Sequence, residues 1–510
     1  MTKTDIVILA AGKGTRMRSQ RPKVLHKLAG KPMLTHVLDA AAAIADAHKI
    51  VVTGHGAELV RARYGDAAFT LVEQTQQLGT GHAVQCALPE LRPQAKVVIL
   101  YGDVPLITPT TISNMLAAVD DQHIALLTID LPEPSGYGRI IRDSDGQIEA
   151  IIEQKDASPE QLQISEVNTG VMALTTELLA DWLPQVSNNN AQGEYYLTDL
   201  IAIARNNGFS INGVQPISAS EVEGINSRSQ LAALERVYQL QLADKLMTSG
   251  TSLADPARFD QRGNLTAGSD NFIDVNCLFE GNVSLGCNVH IGPNCQISDS
   301  HIGDGVEIKA NTVIDQSTIG DNAVLGPFAR IRPGTQLGSN TKVGNFVETK
   351  KAIVGDGSKI NHLSYVGDAQ LGRRLGEAAG FHHAGKGLQC VETVHRSSSR
   401  RVNCLEISNS HCATGLFIPG PPVPRVHAFQ PPSRGFVCLH VTLFFPLGAR
   451  RSMTRTAIRQ RSGPTVFCSS RARWAAVPMA RRSPTTKPRC GWRSTTSTRS
   501  CRPLAARLTT

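Results

Sequence analysis

A glycine-rich loop with basic side chains lies close to the start of the chain. The segment Leu9-Ala10-Ala11-Gly12-Lys13-Gly14-Thr15-Arg16-Met17 leaves an apolar run and enters this loop. Glycines let backbone N–H groups approach phosphate oxygens, and Lys13 and Arg16 add positive charge. Met17 stands where the dinucleotide fingerprint has its third glycine, and no G-x-x-x-x-G-K-[ST] motif occurs. By itself this loop is more simply explained as a plain turn, and only the surrounding motifs favour phosphate binding. The missing glycine argues against hydride transfer, and the missing motif argues against a P-loop ATPase.

Two further polar residues could act on phosphates. Asp103 follows the apolar run VVILYG, so its carboxylate should project from the carboxyl end of a strand, where open α/β sheets bind their ligands. A helix cap is the alternative for an isolated Asp. Lys23 follows Pro22 shortly after the glycine loop, where it is either a solvated surface lysine or a phosphate contact.

The elements that must position these residues form an α/β domain over residues 1–227. Apolar strands (IVILAAG, KIVVTGH, KVVILYGD, HIALLTID and EAIIEQK) alternate with helical patterns such as KPMLTHVLDAAAAIADAH. This alternation predicts a mostly parallel, Rossmann-like sheet. Leu231, Leu234, Tyr238 and Leu242 then follow at spacings of three and four, which predicts a linker helix over residues 228–250.

An internal repeat fills residues 251–372. Aliphatic or aromatic residues recur at steps of five or six, and glycine often follows them; they are Ile273, Phe279, Leu285, Ile291, Ile297, Ile302, Ile308, Ile314, Ile319, Leu325, Ile331, Leu337 and Val343. A six-residue period places one apolar side chain per short strand inside a triangular coil. The repeat predicts a left-handed parallel β-helix of hexapeptide repeats. It continues to Leu371-Gly372 and then stops, so the β-helix is expected to be truncated.

Residues 373–510 differ in composition from the rest of the chain. They contain no Asp and no Tyr, and 23 of the 52 Lys+Arg but only 3 of the 43 Asp+Glu, which leaves 29 basic and 40 acidic residues in 1–372. The net charge of +9 therefore comes from this Arg-rich tail. A disordered basic tail is one interpretation. We favour a reading-frame shift near codon 373, because the change falls inside a coil of the repeat.

Cysteine use and hydropathy indicate the cellular compartment of the protein. Of the 11 cysteines, only Cys86, Cys277, Cys287 and Cys295 precede residue 373, and none forms a CxxC pair or a zinc-ligand spacing. The first apolar run is too short for a signal peptide, and no stretch reaches membrane-spanning length. We expect a cytoplasmic protein with neither a membrane nor a nucleic acid as partner.

The motifs together resemble those of one enzyme family. LAAGKGTRM followed by Arg21-Pro22-Lys23-Val24-Leu25 resembles the N-terminus of the sugar-phosphate nucleotidyltransferases. The blocks QLGTGH, YGD, GYGR, NTG, NNNAQGEYYLTD and EGIN extend the likeness. With the repeat, residues 1–372 are similar to the bifunctional N-acetylglucosamine-1-phosphate uridyltransferases and glucosamine-1-phosphate acetyltransferases.

This resemblance implies the roles of individual residues in the first domain. Asp103 and Asn226 would hold Mg²⁺, and Lys23 would contact phosphate. Gln74, Gly79 and Thr80 would bind uracil, and Gly138, Glu153 and Asn168 the sugar phosphate. The remaining nucleotide or substrate contacts would be Leu9, Ala10, Ala11, Gly12, Tyr101 and Gly102. The reaction would join UMP from UTP to N-acetylglucosamine 1-phosphate, releasing pyrophosphate and giving UDP-N-acetylglucosamine, a precursor of peptidoglycan and lipopolysaccharide.

The resemblance also implies a second activity in the β-helix. Family members form a homotrimer through it and transfer acetyl from acetyl-CoA to glucosamine 1-phosphate. His362 would be the general base, Arg332 and Lys350 would bind the sugar phosphate, and Tyr365 the sugar. The family continues with an N-I-G-A-G-T coil and an N-Y-D-G loop, and both are missing after Arg373. We therefore expect an incomplete acetyl-CoA site, with acetyl transfer lost or impaired.

Three other functions remain open from the sequence. A non-catalytic relative could use the same architecture for regulation or assembly, although Lys23, Asp103 and Asn226 are all present. A pyrophosphorylase could act on a different nucleotide or sugar. The Arg-rich tail could bind nucleic acid if it is a genuine translation product.

Overall fold

The structure is a computed structural model that describes residues 3–65, 68–190 and 192–375 and the backbone of two short later strands. The chain divides into two compact units, Met1–Leu416 and Phe417–Thr510, and every described residue belongs to the first. The predicted frame-shifted, disordered tail over 373–510 therefore lies almost wholly outside the described residues. Residues 373–375 are described, and Lys359 N–H donates to the Leu375 carbonyl at 2.7 Å, as between coils of the repeat.

The described residues of the N-terminal part form eleven strands and seven α-helices. The strands are β1 (Lys3–Ala10), β2 (Lys27–Leu28), β3 (Lys31–Pro32), β4 (Ala47–Thr53), β5 (Thr70–Glu73), β6 (Ala95–Tyr101), β7 (His123–Asp130), β8 (Arg139–Arg142), β9 (Ile148–Ile152), β10 (Glu166–Thr175) and β11 (Ser210–Val214). The α-helices are α1 (Met33–Ala42), α2 (Ala57–Tyr64), α3 (Thr80–Ala87), α4 (Pro109–Ala117), α5 (Thr176–Trp182), α6 (Asp199–Asn206) and α7 (Arg228–Thr248).

One sheet dominates this part, with the strand order β11-β7-β10-β6-β1-β4-β5. β1 is parallel to both β4 and β6, whereas β10 is antiparallel to β6 and β7. Ile6, Val7 and Ile8 of β1 are fully buried, because helices cover both faces of the central strands. The predicted mostly parallel α/β sheet is confirmed. β8 and β9 form an antiparallel hairpin that joins the sheet through β10.

Helix α7 packs on two different cores. Its Leu234 lies in an apolar cluster with Leu28 and Ile225 of the N-terminal part. Its Ala243 and Leu246 belong to the core of the following β-helix. The first half of the helix therefore packs on the N-terminal part, and its second half packs on the β-helix.

The β-helix consists of short parallel strands stacked in coils. In chain order they are β12 (Thr251–Leu253), β13 (Phe259–Ala267), β14 (Asn271–Ile273), β15 (Cys277–Leu285), β16 (His290–Ile291), β17 (Gln296–Ser298), β18 (His301–Ile302), β19 (Glu307–Ile308), β20 (Val313–Asp315), β21 (Thr318–Ile319), β22 (Val324–Leu325), β23 (Arg330–Ile331), β24 (Gln336–Leu337), β25 (Lys342–Asn345), β26 (Glu348–Lys350), β27 (Ile353–Val354), β28 (Lys359–His362), β29 (Tyr365–Gly367), β30 (Gln370–Leu371), β31 (His383–Ala384) and β32 (Gln389–Cys390). β31 and β32 pair in parallel with β29 and β30, so parallel pairing continues beyond residue 372.

The core of the β-helix is the apolar repeat itself. Every residue of the predicted series from Ile273 to Val343 is at most 5% exposed, and Val354, Ile360, Val366 and Leu371 extend it. Each such side chain stabilises the stack by about 1.5–3 kcal/mol relative to exposure. The coils approach so closely that a Cβ on Gly344 would clash with the Asn361 carbonyl oxygen. The predicted left-handed hexapeptide-repeat β-helix is confirmed.

Candidate active site

A cleft of about 680 Å³ opens at the carboxyl edge of the N-terminal sheet. It lies beyond the ends of β1 and β6, where parallel sheets bind ligands. Ten of the fifteen residues predicted to bind nucleotide or substrate line it: Leu9, Ala10, Ala11, Gly12, Lys23, Gln74, Gly79, Thr80, Tyr101 and Asp103. Lys13 and Arg16 line it as well.

The glycine loop is folded back onto the segment that carries Lys23. Gly14 has φ +58°, and a Cβ there would lie 2.8 Å from Cβ of Lys23. A side chain at position 14 would therefore displace Lys23. The Met17 N–H donates to the Gly14 carbonyl at 2.9 Å, and the Arg228 guanidinium donates to the Met17 carbonyl at 3.1 Å. The loop is thus anchored to the first turn of α7.

Lys23 and Asp103, which line the cleft, meet Asn226 at one point. The Lys23 ammonium forms an ion pair with the Asp103 carboxylate and donates to Asn226 Oδ1 at 3.0 Å. The side chains of Lys23 and Asp103 are only 14% and 16% exposed. The Ile225 N–H also donates to the Asp103 carbonyl at 3.0 Å, which brings the neighbouring Asn226 to this point.

The side-chain oxygens that meet here would suit a hard cation. The Asp103 carboxylate and the Asn226 amide direct their oxygens at one cationic group, the Lys23 ammonium. Two protein oxygens, completed by phosphate oxygens and water, suit octahedral Mg²⁺. Among the described residues no group of three or more His, Cys, Asp or Glu could hold a metal by itself.

The opposite wall is built by residues 74–81 and the segment around Tyr195. Gln74 is 2% exposed, and its amide donates to the Gly79 carbonyl at 3.0 Å. The Gly81 N–H donates to the Tyr195 carbonyl at 2.8 Å, and the Leu197 N–H donates to Thr80 Oγ1 at 3.1 Å. A Cβ on Gly79 would lie 2.6 Å from the Tyr195 carbonyl oxygen. The backbone around Tyr195 is therefore packed directly against Gly79 and Thr80, two of the residues predicted to bind uracil.

Three predicted sugar-phosphate residues form a neighbouring cluster beside the cleft. The Asn168 N–H donates to the Gly138 carbonyl at 2.9 Å, and Glu153 Oε1 lies 3.3 Å from where a Cβ on Gly138 would be. Asn168 Oδ1 accepts from the Gly170 N–H at 2.9 Å. The cluster touches the cleft because the Tyr101 ring packs on Gly170.

Tyr101 and Gly102 link the end of β6 to the Asp103 carboxylate. Burial raises the pKa of the Tyr101 phenol, and the negative charge of Asp103 raises that pKa further. The Gly102 N–H donates to the Leu9 carbonyl at 2.9 Å, which extends the β1–β6 ladder to the cleft.

The residues predicted for acetyl transfer lie in the last coils of the β-helix. Arg332 forms an ion pair with Glu348 at 2.6 Å. Glu348 is opposite Tyr365 in the β26–β29 pair, and Lys350 is opposite Gly367. His362 ends β28 on another face of the coil, opposite Asn345, and is exposed.

Sequence reasoning left several residues of the cleft without a role. Gln192 and Glu194 line the cleft, and the Tyr195 backbone closes it. All three belong to the polar run NNNAQGEYYLTD, whose density of amide side chains was the available signal. Gln77 also lines the cleft, beside Gln74, to whose carbonyl its amide donates at 3.3 Å.

Comparison with known proteins agrees with this architecture. The family described as MobA-like NTP transferase domain matches residues 6–155, and the one described as GMPPB C-terminal domain matches residues 262–362. Within the described part of the chain, no helix is long and apolar enough to cross a membrane.

Curated relatives extend the likeness across both parts. The Bifunctional protein GlmU of Marinobacter nauticus is 58% identical over 380 residues, which cover 74% of this chain and 84% of that protein. The Bifunctional protein GlmU of Cellvibrio japonicus is 56% identical over 376 residues, covering 74% and 83%. The protein of the same name from Paraburkholderia xenovorans is 52% identical over 376 residues, with the same coverage.

Proposed function

We infer that this chain, a member of the family of the bifunctional protein GlmU, is a uridylyltransferase. Its N-terminal domain transfers a uridylyl group from UTP to N-acetylglucosamine 1-phosphate. The products are UDP-N-acetylglucosamine and pyrophosphate. The observation that carries this proposal is the meeting of Lys23, Asp103 and Asn226 beside the glycine loop. A non-catalytic relative would have no need to retain all three groups in one partly buried cluster.

The reaction is an in-line displacement at phosphorus. A phosphate oxygen of N-acetylglucosamine 1-phosphate attacks the α-phosphorus of UTP and forms the new P–O bond. The bond from the α-phosphorus to the bridging oxygen breaks, and its electrons leave with pyrophosphate. The attacking oxygen is already ionised at neutral pH, so the protein need not supply a general base. Catalysis then rests on positioning and on stabilising the charge that develops.

The residues of the cleft divide this work. Backbone N–H groups of residues 12–15 and the Lys23 ammonium face the triphosphate, and Gln74, Gly79 and Thr80 hold the base. Gly138, Glu153 and Asn168 orient the sugar phosphate from the side. Asp103 and Asn226 would hold Mg²⁺, which when bound supplies charge neutralisation on the phosphates.

The test is pyrophosphate release from UTP and N-acetylglucosamine 1-phosphate. Asp103→Ala should remove most of the activity, and so should a chelator. Asp120→Ala is the matched control, because Asp120 is exposed and pairs with His123 at the opposite edge of the sheet. Full activity of the Asp103 variant would overturn the metal assignment. Faster turnover with ATP, GTP or another sugar 1-phosphate would identify a different pyrophosphorylase.

Acetyl transfer to glucosamine 1-phosphate is the second activity of the family, and we propose that this chain has lost most of it. Arg332, Lys350, His362 and Tyr365 are present, but neither the N-I-G-A-G-T coil nor the N-Y-D-G loop follows residue 372. We further propose that the β-helix forms a homotrimer and that the protein works in the cytoplasm on soluble substrates. Sedimentation of the full chain measures the trimer directly.

A further inference from the structure

A buried carboxylate outside the cleft is fully occupied by hydrogen bonds. Glu221 is 4% exposed. Its Oε2 accepts from the hydroxyls of Thr108 at 2.8 Å and Thr111 at 2.6 Å, and its Oε1 accepts from the backbone N–H groups of Ile217 at 3.1 Å and Ser218 at 3.3 Å. Among the described residues, no Lys, Arg or His forms an ion pair with Glu221.

These bonds join two segments that carry the cation-binding oxygens. Thr108 is the N-cap of α4, five residues after Asp103, and its hydroxyl accepts from the Thr111 N–H at 3.2 Å. Glu221 stands five residues before Asn226. The Ile225 N–H donates to the Asp103 carbonyl, so the two segments are tied at both ends.

The far side of Asn226 is held in the same way. Its backbone N–H donates to Gln230 Oε1 at 2.9 Å, and Gln230 N–H in turn donates to the Ser227 hydroxyl at 3.2 Å in the first turn of α7. Asn226 therefore lies between two fixed points, Glu221 and α7. Its backbone is thereby held at a fixed place beside Asp103.

We propose that Glu221 is a positioning residue for the cation site, one that fixes the separation of Asp103 and Asn226 through its hydrogen bonds to α4. This inference rests on the proposed function only for the identity of the cation. An apolar contact would hold the two segments together at less desolvation cost, since a buried carboxylate without a counter-ion is expensive. Four hydrogen bonds in fixed directions, however, also set the register of the segments. The N-terminus of α4 adds a favourable dipole to the negative charge.

The hydrogen-bond pattern predicts which substitution is tolerated. The two backbone N–H groups need an acceptor, whereas the two threonine hydroxyls can either donate or accept. A Gln at 221 can turn its carbonyl toward Ile217 and Ser218 and its amide toward the threonines. Glu221→Gln should therefore preserve the hydrogen bonds that join the two segments, and Glu221→Ala should remove them.

The experiment measures Mn²⁺ binding to the full chain without substrates, by electron paramagnetic resonance, with Mn²⁺ as the probe for the magnesium site. Loss of residues that orient metal ligands typically weakens metal binding by about 10- to 100-fold, and we expect that range for Glu221→Ala. The Mg²⁺ concentration for half-maximal pyrophosphate release should rise in parallel. Glu221→Gln should stay close to the native protein in both measurements.

Two further variants separate positioning from stability. Asp5→Ala removes another buried carboxylate, one that accepts hydrogen bonds from Arg92 at the opposite end of β1. This substitution should lower the melting temperature without weakening Mn²⁺ binding. If Glu221→Ala does not fold, Thr111→Val removes one of the four bonds and should weaken Mn²⁺ binding to a smaller extent. Unchanged Mn²⁺ affinity in a folded Glu221→Ala or Thr111→Val protein would overturn the proposal, and so would equal losses in the Ala and Gln variants. Absence of pyrophosphate release in the native protein would contradict the proposed function alone, because Mn²⁺ binding is read separately.

Discussion

At the scale of single residues, the Lys23 ammonium contacts the two side-chain oxygens that we propose as metal ligands, those of Asp103 and Asn226. A divalent cation bound there would compete with the ammonium for these oxygens, and the two positive charges would repel each other in this partly buried site. Lys23→Met should therefore tighten Mn²⁺ binding to the nucleotide-free protein. The same change should lower turnover by about 10²–10³-fold, the usual cost of removing a donor aimed at developing charge. A metal titration and a steady-state assay measure the two effects.

Lys13→Met is the control for that substitution. Lys13 lines the same cleft but has no bond to Asp103 or Asn226, so its loss should leave Mn²⁺ affinity unchanged. Weaker Mn²⁺ binding in the Lys23 variant would show that the lysine supports the metal site instead of competing for it.

The same residues show what the sequence could predict at this scale. Asp103 was recognised as a ligand candidate from its position after an apolar strand, a local signal. Its partners Lys23 and Asn226 lie 80 and 123 residues away, and no spacing rule connects such distances. Family resemblance predicts the pairing of Asp103 with Asn226, whereas the contacts of Lys23 with both, and the hydrogen bonds of Glu221, are visible only in three dimensions.

At the scale of elements, α1 and α7 meet through one buried histidine. His36 of α1 is 8% exposed, its Nε2 is 2.9 Å from the Leu28 carbonyl oxygen, and its ring is perpendicular to that of Tyr238 in α7 at 5.2 Å. Burial is the main cause that lowers its pKa, and it outweighs the hydrogen bond to the Leu28 carbonyl, which raises that pKa. The Lys31 charge lowers the pKa further, whereas the charges of Asp39 and Glu235 raise it.

This lowered pKa predicts an acid-dependent loss of stability. Below pH of about 6.5 the unfolded chain binds a proton at His36 that the folded chain resists, so the free energy of unfolding falls as pH falls. Urea unfolding at neutral pH and at a pH one to two units lower should show a smaller decrease for His36→Asn than for the native protein. The variant should be less stable at neutral pH, because it loses the contact with Tyr238. Equal decreases in the two proteins would contradict the assignment to His36.

The elements themselves were predictable to different degrees. The β-helix coils were evident because each repeats one buried position, and every predicted apolar residue is indeed in the core. The apolar face predicted for α7 was correct at Leu234, but the division of the helix between two cores was not visible. Helical periodicity identifies the buried face and carries no information about which partner covers it.

At the scale of the whole molecule, the residues proposed for uridylyl transfer all lie before the β-helix in the chain. Every residue assigned to it precedes 227, and the first half of α7 packs on the N-terminal part. A chain shortened to end at Gly250 should therefore keep pyrophosphate release. It should sediment as a monomer, and its exposed Ala243 and Leu246 should cause the end of α7 to fray.

The shortened chain needs evidence of folding before its activity is interpreted. A cooperative thermal transition by circular dichroism provides it, and Asp103→Ala in the same background gives the inactive reference. A folded shortened chain without turnover would mean that the site borrows residues from the β-helix.

The last prediction concerns acetyl transfer by the full chain. His362, Arg332, Lys350 and Tyr365 all lie in the final coils, and a general base contributes only when the acyl donor is held beside the amine. Because the two family motifs are missing after residue 372, we expect no free thiol from acetyl-CoA with glucosamine 1-phosphate. Replacing residues 373–510 with the matching coils of a relative should restore thiol release, and His362→Ala in that restored chain should abolish it again. Strong acetyl transfer by the unaltered 510-residue chain would instead mean that residues 373–510 bind coenzyme A, and the frame-shift interpretation would be wrong.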